Sequence, residues 1–412
     1  MKALRFLPIT ICVFIFLSVL GISAFNQPEN KKANITKNIA TSTDDSGAVP
    51  VINLDTNNND EEMRGVWVTY MDLNLEDNKR SEKDFTDKFT EIADNCKESG
   101  FNTLIVQVRP FCDALYKSEY FPSSHIITGI QGANLDYDPL EIMCNICKEK
   151  NLKIHAWVNP YRVKTKETPK NLSDDNPYIK NNDLAVETES GIFLNPALQE
   201  VRDLIVNGVC EIVENYNVDG IQFDDYFYPT NDESFDKTEY EEYKDSVDNP
   251  MELSEWRKAN VNIMVAQCYM ALHKIDNDIA FGISPQGNLG NNEGLCADVK
   301  TWCKEVGYID YICPQVYFSL DNPALEFEEA MNDWLDIEYS GFCDLYIGLA
   351  GYKAGDEESD SGTWKDKNDI LKKEVELIRQ NSKIRGFMLY AYDSLINEQS
   401  KEEIENVIKL LN

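Results

Sequence analysis

VDGIQFDDYFYP, residues 218–229, sets a short run of strand-like sequence against two adjacent carboxylates, Asp224 and Asp225, followed at once by Tyr226, Phe227 and Tyr228. Ile221 and Phe223 alternate with Gln222 and Asp224, the period of a strand with one apolar face. In a sheet closed on itself, Ile221 and Phe223 would meet covering helices while Gln222 and Asp224 face the interior. An acid in that place either caps a turn or stands at the mouth of a pocket, and the architecture decides which.

Outward from this stretch, one unit recurs eight times after Met63: a short apolar strand, a polar loop and an amphipathic helix. The expected strands are RGVWVTY (64–70), TLIVQV (103–108), KIHAWVN (153–159), GIQFDD (220–225), AFGISP (280–285), DYICPQVY (310–317), LYIGLAG (345–351) and GFMLYAY (386–392). The clearest helix runs from Pro196 to Tyr216, with Val201, Leu204, Ile205, Val209, Ile212, Val213 and Tyr216 on one face and Asn195-Pro196 as its start. Another opens at Ser81, and a last one opens with Ser400-Lys401-Glu402-Glu403, a capping-box pattern. Strands alternating with helices pair in parallel through right-handed crossovers. Eight such units predict an α/β fold, a (β/α)8 TIM barrel over residues 63–412. A doubly wound sheet fits less well, because no Gly-rich phosphate loop follows the first strand.

Alternation then sorts the barrel interior. Gln222 and Asp224, Gln107 and Arg109, His155, Trp157 and Asn159, Gln315 and Tyr317, Tyr390 and Tyr392 are expected inside, with Trp67, Thr69 and Ser284; Ala391 is expected outside. A barrel built for stability alone fills such positions with Val, Ile and Leu. Aromatic rings beside amides and a carboxylate suit a sugar, whose ring faces stack and whose hydroxyls need hydrogen-bond partners. Asp225 has the opposite parity and begins the loop. Both Asp225 and Asp393 also fit the plain role of turn or cap acids, and His155 that of a hydrogen-bonded interior histidine.

The chain has 412 residues and a net charge of −33, from 39 basic and 72 acidic side chains. Such a balance disfavours nucleic acid and anionic lipid as partners. Residues 1–25 place Lys2 and Arg5 before an apolar run, the layout of an export signal or an uncleaved N-terminal membrane anchor. Residues 26–62 lack apolar periodicity and read as a disordered linker. Ten cysteines follow the first segment. Cys313 lies inside an expected strand, Cys96, Cys210 and Cys268 fall on the apolar faces of expected helices, where thiols pack as small hydrophobes, and Cys144-x-x-Cys147 lies in a helical pattern without a second such pair. Neither a disulfide framework nor a zinc site is expected.

EMRGVWVTY, GFNTLIVQVRPFCDALY, the segment from YDPL to KIHAWVNPYRV, DGIQFDDYFYP, FGISPQGN and YICPQVYFS together resemble the bacterial glycosyl hydrolase-like 10 family, over about residues 62–395. The resemblance implies an exported or lipid-anchored barrel acting as a cell-wall glycosidase, since a characterised relative cuts peptidoglycan strands stripped of their stem peptides. Some relatives add a β-sandwich module, which is not expected here. A weaker likeness to chitinase-type barrels fails at Gln222 and Tyr226.

The expected reaction is hydrolysis by a carboxylate pair at the barrel's carboxyl face. Asp224 is expected as nucleophile or base, partnered by Asp225, Asp113 or Asp393, in that order. Trp67, Gln107, Arg109, Trp157, Asn159, Arg162, Tyr226, Gln315, Tyr317, Tyr392 and Asp393 are the expected substrate contacts. No cofactor or metal is required. Two alternatives stand beside this: a non-catalytic glycan-binding barrel, which has no use for an acid pair, and a metal-dependent polysaccharide hydrolase or deacetylase, which needs clustered ligands where the chain offers only His125, His155 and His273.

Overall fold

The computed structural model describes residues 61–412; the export-signal expectation and all but the end of the linker expectation lie outside them. Eight parallel strands close into a barrel: β1 (Met63–Val68), β2 (Thr103–Arg109), β3 (Lys153–Val158), β4 (Gly220–Phe223), β5 (Ala280–Ile283), β6 (Tyr311–Ile312), β7 (Asp344–Leu349) and β8 (Ile384–Leu389), with β8 returning to pair with β1. Each is followed by a helix: α1 (Glu82–Glu98), α2 (Pro139–Glu149), α3 (Gln199–Asn215), α4 (Leu253–Ile275), α5 (Val299–Lys304), α6 (Phe327–Leu335), α7 (Ile370–Arg379) and α8 (Lys401–Leu411). The fold is therefore the expected TIM barrel.

Two shells of packing follow from the alternation. Val66, Val106, Ile221, Phe223 and Phe281 point outward and meet helix residues such as Phe85, Phe89, Ile205 and Val209 in one continuous core. Inside, Trp67, Ile105, Trp157, Tyr311, Cys313 and Met388 form a second cluster. The large interior rings need glycines opposite them. A Cβ on Gly282 would sit 2.1 Å from the Tyr311 ring, and one on Gly220 would sit 2.7 Å from the His155 ring.

Local signals were borne out unevenly. Ser81 and Asp84 form the capping box of α1. At α8 the expected box is absent: Ser400 donates to the Ser394 carbonyl, and Glu403 accepts the Ile370 and Leu371 N–H groups, capping α7 instead. The Asn195 side chain accepts from Ala197 in a turn, so α3 starts three residues beyond Pro196. The ten described cysteines are free thiols.

Between β3 and α3 the chain makes an insert that periodicity did not show, an antiparallel sheet of Arg162–Thr165, Gly191–Leu194 and Ala185–Thr188, with Gly191–Leu194 in the centre. It brings Arg162 to the carboxyl face of the barrel.

The folded part starts slightly before Met63. Glu62 receives Arg379 through Nε at 2.8 Å and Nη2 at 2.7 Å, and its carbonyl accepts Asn102. Removal of residues 1–60 is expected to leave cooperative thermal unfolding unchanged. Removal through Glu62 deletes one partly exposed ion pair and should lower Tm by no more than a few degrees. Loss of the cooperative transition in the shorter truncation would show that the core extends further upstream.

Candidate active site

At the carboxyl ends of the strands lies a cavity of about 250 Å³ lined by Trp67, Trp157, Asp224, Asp225, Tyr226, Ser284, Gln315, Tyr317, Tyr352 and Tyr390. A larger cavity of about 770 Å³ opens at the opposite end, around Asn102, Lys153 and Asp219. Chemistry in TIM barrels sits at the carboxyl face, so the smaller cavity is the candidate.

Its base is a buried polar ladder. Trp67 donates its indole N–H to Gln222 Oε1 at 2.6 Å, Gln222 donates to the Tyr311 hydroxyl at 3.2 Å, and that hydroxyl meets His155 Nδ1 at 2.9 Å. Burial pushes His155 down to about 3, so the ring is neutral and structural. Tyr317, Tyr352 and Tyr390 form one wall, their ring centroids 5.7–6.0 Å apart. Tyr226 and Tyr352 are each 49% exposed, leaving ring surface uncovered at the rim.

Asp224 and Asp225 are 5% and 2% exposed and both line the cavity. Asp224 is there because the alternation of β4 carries on one residue past its end at Phe223. Asp225, on the loop, is turned in by two amides: Gln286 Nε2 donates to Oδ2, and Gln315 Nε2 donates to Oδ1 at 3.3 Å. Gln315 Nε2 also bonds the Ser284 carbonyl at 2.9 Å, which leaves its orientation no choice. Asp224 takes Asn159 Nδ2 on Oδ2 and only a 3.5 Å contact from the Tyr226 N–H on Oδ1.

Burial, and then the neighbouring Asp225, raise Asp224 to about 7 against the opposing pull of Arg162. Burial also raises Asp225, while Gln286, Gln315 and Arg162 act in the other direction. Neighbouring buried carboxylates disfavour each other's charge, and the one with more N–H donors holds its charge the more readily. By that count the charge is better held on Asp225 than on Asp224.

Arg162 donates Nε to the Pro110 carbonyl at 2.8 Å and lies over the Phe111 ring at 4.9 Å. Its charge reaches Asp224, Asp225 and Tyr226.

Other expected site residues lie elsewhere. Arg109 turns away from the interior because the β2–β3 register shifts between Gln107 and Arg109. It stacks over Phe121 at 4.4 Å, against Gly208 of α3. Asp113 is fully buried in the β2 loop, where it accepts Gln131 at 3.0 Å and faces His125 at 3.3 Å, and it lies outside the cavity lining. Tyr392 packs in the outer core with its hydroxyl on Asn95 of α1, while Ala391 joins the interior cluster. Here β8 has ended at Leu389 and Tyr392 is in a helical conformation, so strand parity no longer applies. Asp393 is exposed on the short helix Asp393–Ile396. Gln107 and Asn159 are buried behind Asp224 and do not line the cavity.

Sequence reasoning missed Gln286, Tyr352 and Tyr390 as site residues. Extending the β5 alternation from Gly282 through Ser284 reaches Gln286, and Tyr390 had the right parity. Tyr352 follows the end of β7 and carried no signal. Among the described residues, no group of three or more His, Cys, Asp or Glu is placed to hold a metal ion.

The sequence signature of the family described as glycosyl hydrolase-like 10 matches residues 62–366. The glycosyl hydrolase YngK of Bacillus subtilis is 33% identical over 360 residues, covering 82% of this chain and 69% of that one. The glycosyl hydrolase DigH of Escherichia coli K12 is 28% identical over 386 residues, covering 85% of this chain and 87% of the relative. Among solved structures, the PgaB (BpsB) glycoside hydrolase domain from Bordetella bronchiseptica aligns with a TM-score of 0.56 at 12% identity, over 85% of this chain and 99% of that domain. An α-L-fucosidase from Paenibacillus thiaminolyticus aligns at 0.53 and 13%, over 85% and 49%. At such identities the structural likeness is one of fold.

Proposed function

From membership of the glycosyl hydrolase-like 10 family, to which this chain belongs, we propose that this glycan-cleaving hydrolase acts on a β-linked amino-sugar polymer of the cell wall, on peptidoglycan strands freed of peptide. The observation that carries the reading is the adjacent carboxylate pair, dry and unlike in its hydrogen bonds, at the base of an aromatic cavity. Asp224 donates a proton to the departing glycosidic oxygen. Asp225, held as the anion by two amides, acts on the anomeric side as base or nucleophile. This reverses the role that parity alone suggested for Asp224, because parity says where a side chain points and not which donors reach it. Tyr317, Tyr352, Tyr390 and Trp67 offer stacking faces to the sugar. The basic and apolar start of residues 1–25 supports export and a wall-facing location.

Incubation of the protein with peptide-free and with intact peptidoglycan, followed by mass spectrometry of new reducing ends, tests the proposal. Release is expected from the peptide-free strands. Release from neither substrate overturns the cell-wall assignment.

Peptide-free muramic acid bears a lactyl carboxylate, and a chain of net charge −33 needs a local cation to accept it. Arg162 supplies that cation beside the pair. Arg162→Ala is expected to lower kcat/KM on peptide-free wall glycan far more than on a chitin oligomer of equal length. An equal loss on both assigns Arg162 to general electrostatics.

The pH dependence has a defined sign. An acid catalyst works while protonated, so kcat/KM should fall as pH rises through about 7, the value to which Asp224 is raised. On the other side it should fall as Asp225 takes up a proton. A profile flat between pH 6 and pH 9 would remove Asp224 from the acid role.

A further inference from the structure

Behind Asp224 runs a chain of amides with a single possible direction. The Tyr70 backbone N–H donates to Gln107 Oε1 at 3.0 Å, Gln107 Nε2 donates to Asn159 Oδ1 at 2.6 Å, and Asn159 Nδ2 donates to Asp224 Oδ2. A backbone N–H can only donate, so it settles which end of Gln107 faces it. Gln107 then settles Asn159, and Asn159 must present N–H to the carboxyl group. Gln107, Asn159 and Asp224 are all buried.

We propose that Gln107 is a positioning residue which, through Asn159, confines the transferable proton of Asp224 to Oδ1. An oxygen that accepts an N–H hydrogen bond along this line has no room for a proton of its own in the same direction. The proton is therefore better placed on Oδ1, whose hydrogen bond from the Tyr226 N–H is long, at 3.5 Å, than on Oδ2, which takes the much closer Asn159 N–H. The relay performs two tasks from outside the cavity: it stabilises the anion left after proton transfer, and it keeps the proton on one oxygen before the transfer. The β2 bulge has a part in this, because the register shift that sends Arg109 outward comes directly after Gln107 and leaves Gln107 inside.

The inference rests on the acid role given to Asp224 above, so its test is chosen to be independent of turnover. The groups facing Asp224 are Asp225 beside it, Arg162 from the insert, Tyr226 on its own loop, Tyr390 just after β8 and the Trp157 indole. The titration of Asp224 is read from the infrared carbonyl band of its protonated form, assigned by its loss in Asp224→Asn. In Gln107→Met, Asn159 is no longer held as a donor, and the titration should move up by about one pH unit. In an Asn159→Ala background the same substitution should move nothing, since Gln107 acts only through Asn159. Gln107→Glu preserves shape should Gln107→Met fold poorly. An ionised Glu can only accept, so Asn159 must turn its N–H towards it and its oxygen towards Asp224. The upward movement should then exceed what the same substitution causes in the Asn159→Ala background, where charge alone acts. In the wild-type background kcat should fall about tenfold with KM unchanged. An unmoved titration in folded Gln107→Met, or equal movement with and without Asn159, overturns the relay. Failure of the wild-type protein to release reducing ends would instead overturn the glycosidase proposal and leave the infrared result standing.

Discussion

Asp224→Asn should lower kcat on its natural glycan by roughly 10²–10⁴-fold while the protein stays folded and still binds glycan. Asparagine keeps the size of the side chain and can still accept the Asn159 N–H through its oxygen, so the buried amide chain from Tyr70 survives. What disappears is the transferable proton. Stability adds a second sign to the prediction. Burial and Asp225 raise Asp224 above its ordinary range, so the folded state holds that proton more tightly than the unfolded chain does. The stability linked to this group is present below the unfolded value near 4 and is lost as pH rises through about 7. The Asn variant, which has no such loss, should therefore gain in Tm relative to wild type between pH 5 and pH 8. Near wild-type turnover in a folded Asp224→Asn protein would overturn the assignment of the site.

Asp225→Asn should be at least as damaging to turnover, for a different reason. The wild-type carboxylate accepts Gln286 on one oxygen and Gln315 on the other, and Gln315 is locked by the Ser284 carbonyl. An asparagine there turns an NH₂ group towards one of the two amide donors, leaving a donor-to-donor clash in a buried place. The negative charge that steadies the developing cation at the anomeric carbon is lost as well. The expected result is a loss of roughly 10²–10⁴-fold or more in kcat, with some loss of Tm. Asp224 in this variant should titrate lower, since its anionic neighbour is gone. A folded Asp225→Asn protein with only a small loss in kcat would reduce Asp225 to an organiser of the loop through Tyr226 and Tyr228.

Much of this arrangement was legible in the chain because a barrel strand has one period and two unlike sides. Ile221 and Phe223 needed apolar partners, so Gln222 and Asp224 had to look inward, and the same rule placed Trp67, Trp157, Gln315 and Tyr317. The rule failed wherever the backbone left the pleat. One shifted register after Gln107 sent Arg109 beneath α3, and the end of β8 at Leu389 freed Tyr392 to reach Asn95. Asp113 drew attention as an acid in the right loop, yet its partners Gln131 and His125 come from later in that loop, a distance no local pattern reports. The insert carrying Arg162 was equally silent, since four-residue strands on a surface need little apolar alternation. The unlike hydrogen bonding of the two acids depends on which amides reach them, and those amides, Asn159, Gln286 and Gln315, lie just beyond the ends of β3, β5 and β6.

The most direct test of the central claim, that Asp224 is the acid and Asp225 its anionic partner, compares both Asn variants on two substrates. One is the natural glycan, and the other carries the same sugar on a dinitrophenolate, a leaving group that departs without a proton. The account predicts that Asp224→Asn loses activity on the natural glycan and keeps most of its bond-cleavage rate on the activated one, while Asp225→Asn loses both. Equal losses by Asp224→Asn on the two substrates, or rescue of Asp225→Asn by the activated one, would contradict it.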